Sequence, residues 1–429
     1  MSYWDTVMDS GDVPYGKRLV PSLVDQIAVE DPERICFSFP RSSNFADGFQ
    51  DLSYRTFANA VNKTAYFIHT EIGRSSCFET VLYIGYPDVR YFIVLVALIK
   101  TGHKVLFSSH SNTSARHADL IKRTDCTILL YTAGFPVSGI LESCRMETLC
   151  MPELQYLLQG TAFDVYPYTK TFDQAEYDPI MVTHTSSASG QPEPVVWTNS
   201  MLAQGDAHLR VPPLNGRPAL FSILQDAGRR KFSALPIYHG TGVANSLGIA
   251  VFCKGTVVIG PPGQTTAGTF DLMLDYGRIN SASCEIATLE EIATRPDILR
   301  KLGQLKHITY IGAGSMSTKC GDLISQYTQL FPVIASSESS ILVQHTTDRE
   351  DWQYMCLNPI YNGIQMRSVY PNSELYELWF IRNPEYQQFQ GIFNYFPRQQ
   401  EVAMSDLYSK HPTKEHHWKH EGRPKRRSS

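Results

Sequence analysis

The segment Met181–Pro194 reads M-V-T-H-T-S-S-A-S-G-Q-P-E-P, and it crowds hydroxyl side chains around one glycine. It begins with apolar residues and ends between two prolines. Small side chains allow the backbone to approach a ligand closely, and hydroxyl and backbone N–H groups both donate hydrogen bonds to phosphate oxygens. Ordinary turns are also rich in Ser, Gly and Pro. The segment therefore indicates a phosphate-binding loop, with a solvated turn as the alternative.

The sequence before this loop alternates between apolar strands and amphipathic helices. Short apolar runs predict strands at Thr80–Gly85, Lys104–Ser108 and Thr127–Tyr131, and helical patterns lie between them. Further upstream, Ser53 is a predicted N-cap for a helix over residues 54–70. Strands that alternate with helices at this spacing are typical of a parallel sheet covered by helices.

The sequence after the loop continues this pattern and then changes to a β-rich one. The predicted strands are Phe232–Pro236, Gly255–Ile259, Ile308–Ile311, Tyr376–Ile381 and Gln390–Phe396, and the predicted helices are Leu272–Arg278 and Leu289–Leu302. The change of texture falls near Asp351. We therefore predict an N-terminal segment 1–53, an α/β core 54–350, a small β-rich subdomain 351–423 and a basic tail 424–429.

Composition and charge exclude several classes of protein. The chain has 429 residues, 43% of them hydrophobic and 19% charged, which is typical of a globular protein with more than one lobe. A formal net charge of −4 gives no reason to expect nucleic acid as a partner. The nine cysteines show no C-x-x-C spacing, which favours a reducing compartment, and neither a signal peptide nor a membrane-spanning run is evident. We therefore expect a cytoplasmic protein without a membrane partner.

The hydroxyl-rich loop resembles the phosphate-binding signature of the adenylate-forming (AMP-binding) enzymes. The resemblance is greatest to the subgroup found in fungal nonribosomal-peptide-synthetase-like proteins and carboxylic acid reductases, which reads T-H-T-S-G-S-T-G, one residue, then P-K-P-V. The positions that match or keep a hydroxyl are Thr183, His184, Thr185, Ser186, Ser189 and Gly190. Glu193 stands at the family's lysine, so that an anion replaces a cation near the expected polyphosphate.

Five further segments match the family in register, and the resemblance implies a role for each. His239, in Pro236–Gly240, would line the acid pocket, and Gly312 and Gly314 would border the adenine and the acid. A satisfied structural histidine and a simple strand-to-helix turn are the alternatives. Both alternatives rest on residue types that are common in ordinary folds.

The remaining three segments concern the nucleotide and the hinge. In Ile334–Glu338, Ser337 would meet the phosphates and Glu338 would hold Mg²⁺, while Ile334 replaces the family's adenine-stacking aromatic residue. Asp406 would accept hydrogen bonds from the ribose hydroxyls. Arg423 matches the approach to the family's hinge. A solvated glutamate and an exposed loop aspartate are the alternatives.

The resemblance implies an α/β fold that corresponds to the large N-terminal lobe of an adenylate-forming enzyme, with helix-covered β-sheets and a small β-rich subdomain. The family continues with a mobile C-terminal lid, which we expect to be absent from this chain. The resemblance also implies that ATP, Mg²⁺ and a small carboxylic acid are the ligands, that His239 and Glu338 are the catalytic residues, and that the product is an acyl-adenylate. A separate carrier protein would supply the phosphopantetheine thiol in trans. The alternative is a non-catalytic lobe that binds a nucleotide, a small acid or a partner protein.

Overall fold

The computed structural model of this protein describes residues 13–184, 193–225, 229–263, 265–312, 314–371 and 373–422, with only the backbone of Ser405. The strands in these residues are β1 (Ile35–Pro40), β2 (Phe49–Ser53), β3 (Thr80–Ile84), β4 (Lys104–Phe107), β5 (Ile128–Thr132), β6 (Glu147–Met151), β7 (Pro179–His184), β8 (Pro194–Thr198), β9 (Arg230–Ser233), β10 (Thr256–Ile259), β11 (Ser281–Glu285), β12 (His307–Ile311), β13 (Gln329–Pro332), β14 (Ala335–Ser336), β15 (Ser340–Ile341), β16 (Gln344–His345), β17 (Tyr354–Leu357), β18 (Ile364–Ser368), β19 (Leu375–Ile381), β20 (Glu401–Lys410) and β21 (His417–Gly422).

The α-helices in the same residues are α1 (Val20–Glu30), α2 (Tyr54–Ile72), α3 (Arg90–Thr101), α4 (Ser114–Arg123), α5 (Ser138–Ser143), α6 (Leu154–Leu158), α7 (Phe172–Ala175), α8 (Asn199–Ala207), α9 (Gly240–Val243), α10 (Ile249–Phe252), α11 (Ala267–Tyr276), α12 (Ile286–Ile292), α13 (Pro296–Lys301), α14 (Thr318–Ile324), α15 (Pro359–Asn362) and α16 (Ile392–Tyr395). A π-helical turn over Ala244–Gly248 joins α9 to α10 without a break. Short 3₁₀ turns occupy Phe45–Asp47, His208–Arg210, Ser222–Leu224, Leu302–Gln304, Arg349–Asp351 and Pro384–Phe389. No helix among the described residues is both long enough and apolar enough to cross a membrane.

Two parallel sheets form the body of the described chain. The first has the strand order β6-β5-β3-β4-β7-β8 and is parallel except for the β7–β8 pair. The second has the order β13-β12-β11-β9-β10-β1-β2 and is parallel except for the β1–β2 pair. The alternation of strands and helices in the sequence therefore predicts this architecture correctly, including the N-cap at Ser53, whose Oγ accepts from the Thr56 N–H.

A third, smaller sheet contains the later strands. Its order is β16-β17-β21-β20-β19-β18, and the paired strands are antiparallel throughout the described residues. Its strands begin at Gln344 and end at Gly422, which agrees with the β-rich texture of that part of the sequence.

Helix α3 lies between the two parallel sheets and is buried along its whole length. The ring of Tyr91 packs edge-on against Tyr83 of β3, with ring centroids 4.7 Å apart. The next residue, Phe92, stacks on Phe37 of β1, with ring centroids 5.1 Å apart. A helix that is apolar on all sides is buried on all sides, and here one helix provides the core for both sheets.

Glycine and proline set the limits of several helices. Helix α3 ends at Gly102, whose φ of +82° and close approach to the Ser75 carbonyl leave no room for a Cβ atom. The helix predicted over residues 289–302 is instead two helices, α12 and α13, because Pro296 starts a new helix at its first turn.

The strand predicted over Gln390–Phe396 is wrong, because Ile392–Tyr395 form helix α16. Ile392 and Phe393 are buried in the core of the third sheet, so the apolar character was interpreted correctly but the type of element was not. A short apolar run has no periodicity that separates a strand from a helical turn. The preceding Gly391 lies so close to the Gln204 side chain and the Ser339 carbonyl that a Cβ atom there would not fit.

Candidate functional site

The candidate site lies at the carboxyl ends of parallel strands in both main sheets. Ligands bind at this edge in open α/β sheets, because the loops that leave the strands converge there. Thr183 and His184 end β7 directly before the hydroxyl-rich loop. The predicted phosphate-binding residues of that loop and the predicted hinge residue lie outside the described residues; they are Thr185, Ser186, Ser189, Gly190 and Arg423.

A hydrogen bond joins the start of the loop to the segment that contains His239. Thr183 is fully buried, and its Oγ1 accepts from the Gly240 N–H at 3.3 Å. His239 is the residue directly before α9, and its carbonyl accepts the Val243 N–H of the first helical turn. Two of the segments that the sequence places 57 residues apart are therefore in direct contact.

Trp197 connects a third segment to these two. Its ring packs so closely on Gly240 that a Cβ atom there would lie 2.7 Å from the ring, which explains the need for glycine. Its Nε1 donates to the Ser337 carbonyl at 2.7 Å. Sequence reasoning did not identify Trp197, since a buried tryptophan in β8 has no motif of its own and reads only as part of the core.

Histidine side chains lie close to one another near the start of α9. The rings of His184 and His239 lie 5.4 Å apart, edge to face, and His184 Nε2 accepts from the Ser109 N–H at 3.1 Å. Burial, and then the neighbouring His184, lower the pKa of His239 to about 4. Burial, and then His110 and His184, lower the pKa of His117 to about 4. The imidazoles of His239 and His117 are therefore uncharged at neutral pH.

An aromatic wall continues from His239 through Tyr238, which belongs to the predicted segment, to Tyr91 and His110, which were not predicted to belong to the site. Tyr238 lies 4.6 Å from His110, measured between ring centroids, and Tyr91 Oη is 2.8 Å from His110 Nε2. Burial lowers the pKa of His110 and raises that of Tyr238. The wall therefore presents polar but uncharged rings.

The π-helical turn carries a buried amide next to the strand ends. Asn245 Nδ2 donates to the Thr241 carbonyl at 3.2 Å, and Asn245 Oδ1 accepts from Ser283 Oγ at 3.2 Å. Ser283 Oγ also lies 2.5 Å from Thr309 Oγ1. The turn is thus bonded to β11, and β11 in turn to β12. π-Helical turns inside α-helices are frequent at functional sites.

Two carboxylates lie near Tyr395 at the edge of the site. Burial raises the pKa of Tyr395, and the charges of Glu193 and Glu338 raise it further, so both carboxylates act on the same hydroxyl. Glu338 occupies the turn between β14 and β15 and is partly buried. Within the described residues, no three His, Cys, Asp or Glu side chains cluster closely enough to hold a metal ion by themselves. Mg²⁺ needs only one or two protein carboxylates when phosphate oxygens complete its shell, so Glu338 fits that role.

A second group of predicted residues lies around His420. Asp406 is buried on β20, and its Oδ1 is 3.9 Å from His420 Nε2. The His420 carbonyl accepts from Ser315 Oγ at 2.8 Å, so the turn with Gly314 contacts the same strand. Asp406 of β20 and the turn with Gly314 therefore both lie close to His420 of β21.

Strand β11 and helix α12 connect the group of predicted residues around Gly240 with the group around His420. Gly312 packs against Ile286, where a Cβ atom would lie 3.1 Å from the isoleucine side chain. Ile286 follows Glu285 at the end of β11, the strand that also carries Ser283. Burial raises the pKa of Glu285. Ile334 belongs to neither group, because its side chain is 8% exposed and packs in the core of the third sheet.

Comparisons of the sequence with known proteins show which family the chain matches. A sequence model of one protein family, described as AMP-binding enzyme, matches residues 24–362. The isocyanide synthase-NRPS hybrid crmA of Aspergillus fumigatus is 32% identical over 97% of this chain and 27% of that protein. A carboxylic acid reductase of Neurospora crassa is 28% identical over 96% of this chain and 39% of that protein. The chain therefore spans only about a quarter to two-fifths of the length of these relatives.

A solved structure shows the same fold at low identity. The N-terminal subdomain of Klebsiella oxytoca NpsA, in complex with 3-hydroxybenzoyl-AMSN, superposes with a TM-score of 0.68 at 14% identity. The superposition covers 95% of this chain and 100% of that chain. The described sheets and helices are those of this N-terminal subdomain fold.

Proposed function

The chain belongs to the family of AMP-binding enzymes. We propose that it binds ATP with Mg²⁺ and a small carboxylic acid, and that it converts them to an acyl-adenylate and pyrophosphate. In this reaction an acid oxygen bonds to the α-phosphorus, and the bond from that phosphorus to the pyrophosphate oxygen breaks. The observation that carries the proposal is the network in which Thr183, Gly240, Trp197 and Ser337 are in direct contact.

Each part of the site takes one task in this proposal. Glu338 holds the metal ion, Asp406 accepts the ribose hydroxyls, and His239 with Tyr238 lines the acid pocket. The neutral imidazole of His239 adds no charge that would trap the acid carboxylate away from phosphorus. Catalysis then consists of positioning and of charge stabilisation by fixed groups.

Glu193 weakens the hold on polyphosphate in this proposal. An anion that acts on Tyr395 together with Glu338 adds to the negative charge around the phosphates. Ile334 offers no flat ring on which adenine could stack, and its side chain packs among other apolar side chains. Both features lower the rate of adenylation, and both favour the second candidate function, a non-catalytic lobe that still binds nucleotide or acid.

The relatives suggest a second step after adenylation. One is named as a hybrid with a nonribosomal peptide synthetase and one as a carboxylic acid reductase. We therefore include in the proposal that the acyl group passes to the phosphopantetheine thiol of a carrier protein. The acid carbonyl carbon bonds to sulfur, and AMP leaves with the oxygen that joined it to the acyl group.

The test combines calorimetric titration of ATP·Mg²⁺ with an ATP–pyrophosphate exchange assay across a panel of small carboxylic acids. Binding together with acid-dependent exchange is the expected result. Binding without exchange for any acid would establish the non-catalytic lobe instead. Absence of binding at millimolar ATP would overturn both candidate functions. An Asp406→Ala variant is the control, because it removes the proposed ribose contact without touching the acid pocket.

A further inference from the structure

Strand β11 ends in a carboxylate to which the proposed function gives no role. Glu285 is the last residue of this strand and is partly buried. Successive side chains of a strand point to opposite faces of the sheet, so Glu285 and Ser283 share one face. The π-helical turn covers this face, because Ser283 Oγ donates to Asn245 Oδ1 at 3.2 Å. Glu285 therefore lies on the face that the turn covers, one step closer than Ser283 to the carboxyl ends of the strands.

The carboxylate is close to the two segments that would border the acid. Burial raises the pKa of Tyr238, and the charge of Glu285 raises it further, so the carboxylate acts on this ring. The next residue, Ile286, packs against Gly312, where a Cβ atom would lie 3.1 Å from its side chain. Tyr238 belongs to the segment that contains His239, and Gly312 belongs to the glycine-rich segment. Glu285 is thus placed where the proposed acid would meet the end of β11.

No charged partner for this carboxylate appears among the described residues. Burial raises the pKa of Glu285, and within the described ranges neither a cation nor a hydrogen-bond donor acts to lower it. The rings nearby are uncharged at neutral pH, since burial and then His184 lower the pKa of His239 to about 4, and the pKa of Tyr238 is raised. The negative charge of Glu285 is therefore left for a ligand or for water to balance.

A partly buried negative charge in an acid pocket discriminates between classes of acid. A simple carboxylic acid enters as an anion, and its carboxylate and that of Glu285 repel each other. An acid that also carries a protonated amine has no net charge, and its ammonium group can donate hydrogen bonds to the Glu285 carboxylate. Such charge-assisted hydrogen bonds are about twice as strong as those between neutral groups. The pairing therefore offsets both the repulsion and the cost of removing the Glu285 carboxylate from water.

We propose that Glu285 selects acids that carry a protonated amine, and that it accepts hydrogen bonds from the ammonium group while the carboxylate of the acid faces the α-phosphorus. The inference rests on the proposed function, because it names the class of acid for the same site. Tyr238 and His239 then contact the body of the acid, and they add no charge that would compete with Glu285 for the ammonium group.

Three pairs of acids test this preference, and the members of each pair differ only by an ammonium group in place of a methyl group. The pairs are alanine and 2-methylpropanoate, 5-aminopentanoate and hexanoate, and 4-(aminomethyl)benzoate and 4-ethylbenzoate, which place the amine at three distances from the acid carboxylate. ATP–pyrophosphate exchange gives kcat/KM for each acid, and calorimetric titration without nucleotide gives Kd. We expect the amine-bearing member of at least one pair to be favoured at least about tenfold in both measurements.

Variants assign the preference to Glu285. Glu285→Gln keeps the size of the side chain but removes its charge, so the preference for the amine should disappear. Glu285→Lys should reverse the preference, because an ammonium group on the protein repels that of the acid. Glu374→Gln, which removes an exposed carboxylate between β18 and β19, should leave the preference unchanged. A variant with a weakened fold would lower the values for both members of a pair together, so the ratio between them is insensitive to that damage.

The outcomes separate this inference from the proposed function. A preference for the amine that survives in Glu285→Gln and Glu285→Lys would overturn the inference and leave the adenylation intact. Binding that prefers the amine and depends on Glu285, without exchange for any acid, would support the inference and overturn the adenylation. Absence of any amine preference in binding and in exchange for all three pairs would overturn the inference, whether or not the chain adenylates other acids.

Discussion

Glu193 is the residue whose charge most alters the expected site. Replacing it with lysine should tighten ATP·Mg²⁺ binding by about threefold to tenfold, because attraction to phosphate replaces repulsion at a solvent-exposed position. The gain should be larger at low ionic strength, where screening is weaker. Calorimetric titrations at two salt concentrations measure both effects, and Glu193→Gln should fall between the two. An affinity that is the same in all three proteins at every salt concentration would show that this side chain does not face the phosphates.

Trp197 supports the site without belonging to any motif. Trp197→Phe keeps a ring against Gly240 but removes the donor to the Ser337 carbonyl. We expect a loss of about 1 kcal/mol in the free energy of unfolding, together with weaker ATP·Mg²⁺ binding, because the turn with Glu338 loses its anchor. Urea denaturation and calorimetry provide the two readouts. Unchanged nucleotide binding would separate Trp197 from the site.

For single residues, the sequence predicts those that belong to a motif better than those that position the motif through contacts. Thr183, His239 and Asp406 stand out because their types and order match a known pattern, and the structure brings each next to another predicted segment. Trp197 and Asn245 could not be found this way. Their partners are 140 and 38 residues away in the chain, so only the folded structure shows the contact.

Among the elements, the beginnings of β9, β11 and β12 carry a buried polar row. Lys231 pairs in register with Ser281, and Ser281 with His307, so the three side chains lie on one face of the sheet. Lys231 Nζ, Ser281 Oγ and His307 Nε2 are all buried without a hydrogen-bond partner among the described residues. Burial lowers the pKa of Lys231 to about 7 and that of His307 to about 3.

Lys231→Met should therefore stabilise the protein by about 1–3 kcal/mol, because an apolar side chain of similar length replaces an unpartnered amine. Between pH 7 and the usual lysine pKa of 10.5, the unfolded chain binds more protons than the folded one, so the stability that depends on Lys231 rises with pH. The advantage of the variant should thus shrink as pH rises from 7 to 10. Urea denaturation across that range measures it, with the exposed Lys319→Met as control. An advantage that stays constant with pH would contradict a lowered pKa.

The elements also show where sequence patterns fail to predict the secondary structure. The long amphipathic helix α2 and the apolar strand β3, which lies between clear helical patterns, are predicted within two residues of their observed bounds. The short aromatic segment at residues 390–396 is assigned to the wrong element, because Gly391 and the packing of Ile392 decide its conformation through contacts with α8 and the third sheet. Tertiary packing overrides local preference in segments of this length.

In the whole molecule, one buried ion pair ties three helices together. The Lys100 side chain of α3 is fully buried, and its Nζ lies 2.6 Å from Asp25 Oδ2 of α1 and 2.8 Å from Asn62 Oδ1 of α2. Burial lowers the pKa of Lys100 even though Asp25 acts to raise it. The Lys100 ammonium charge therefore lies in the interior, where the Asp25 carboxylate balances it.

Asp25→Ala should destabilise the protein by about 3–5 kcal/mol, because it leaves the buried ammonium group without its counter-ion. The double variant Asp25→Leu/Lys100→Met should recover most of that loss, since no charge remains in the interior. Asp173→Ala removes the acid of the exposed pair with Lys17 and should change stability by less than about 0.5 kcal/mol. Urea denaturation compares the four proteins, and a loss in Asp25→Ala no greater than that in Asp173→Ala would contradict this account.

Helix α3 also determines how the molecule unfolds. Because Tyr91 contacts one sheet and Phe92 the other, neither sheet can open without exposing the core of its neighbour. The amide protons of α3 should therefore exchange with deuterium only through global unfolding, more slowly than those of the third sheet. Both parallel sheets should accordingly melt in a single calorimetric transition. A separate, earlier transition in which the α3 amides become labile would mean that the two sheets unfold independently. Two layers that share one helix thus behave as one cooperative unit.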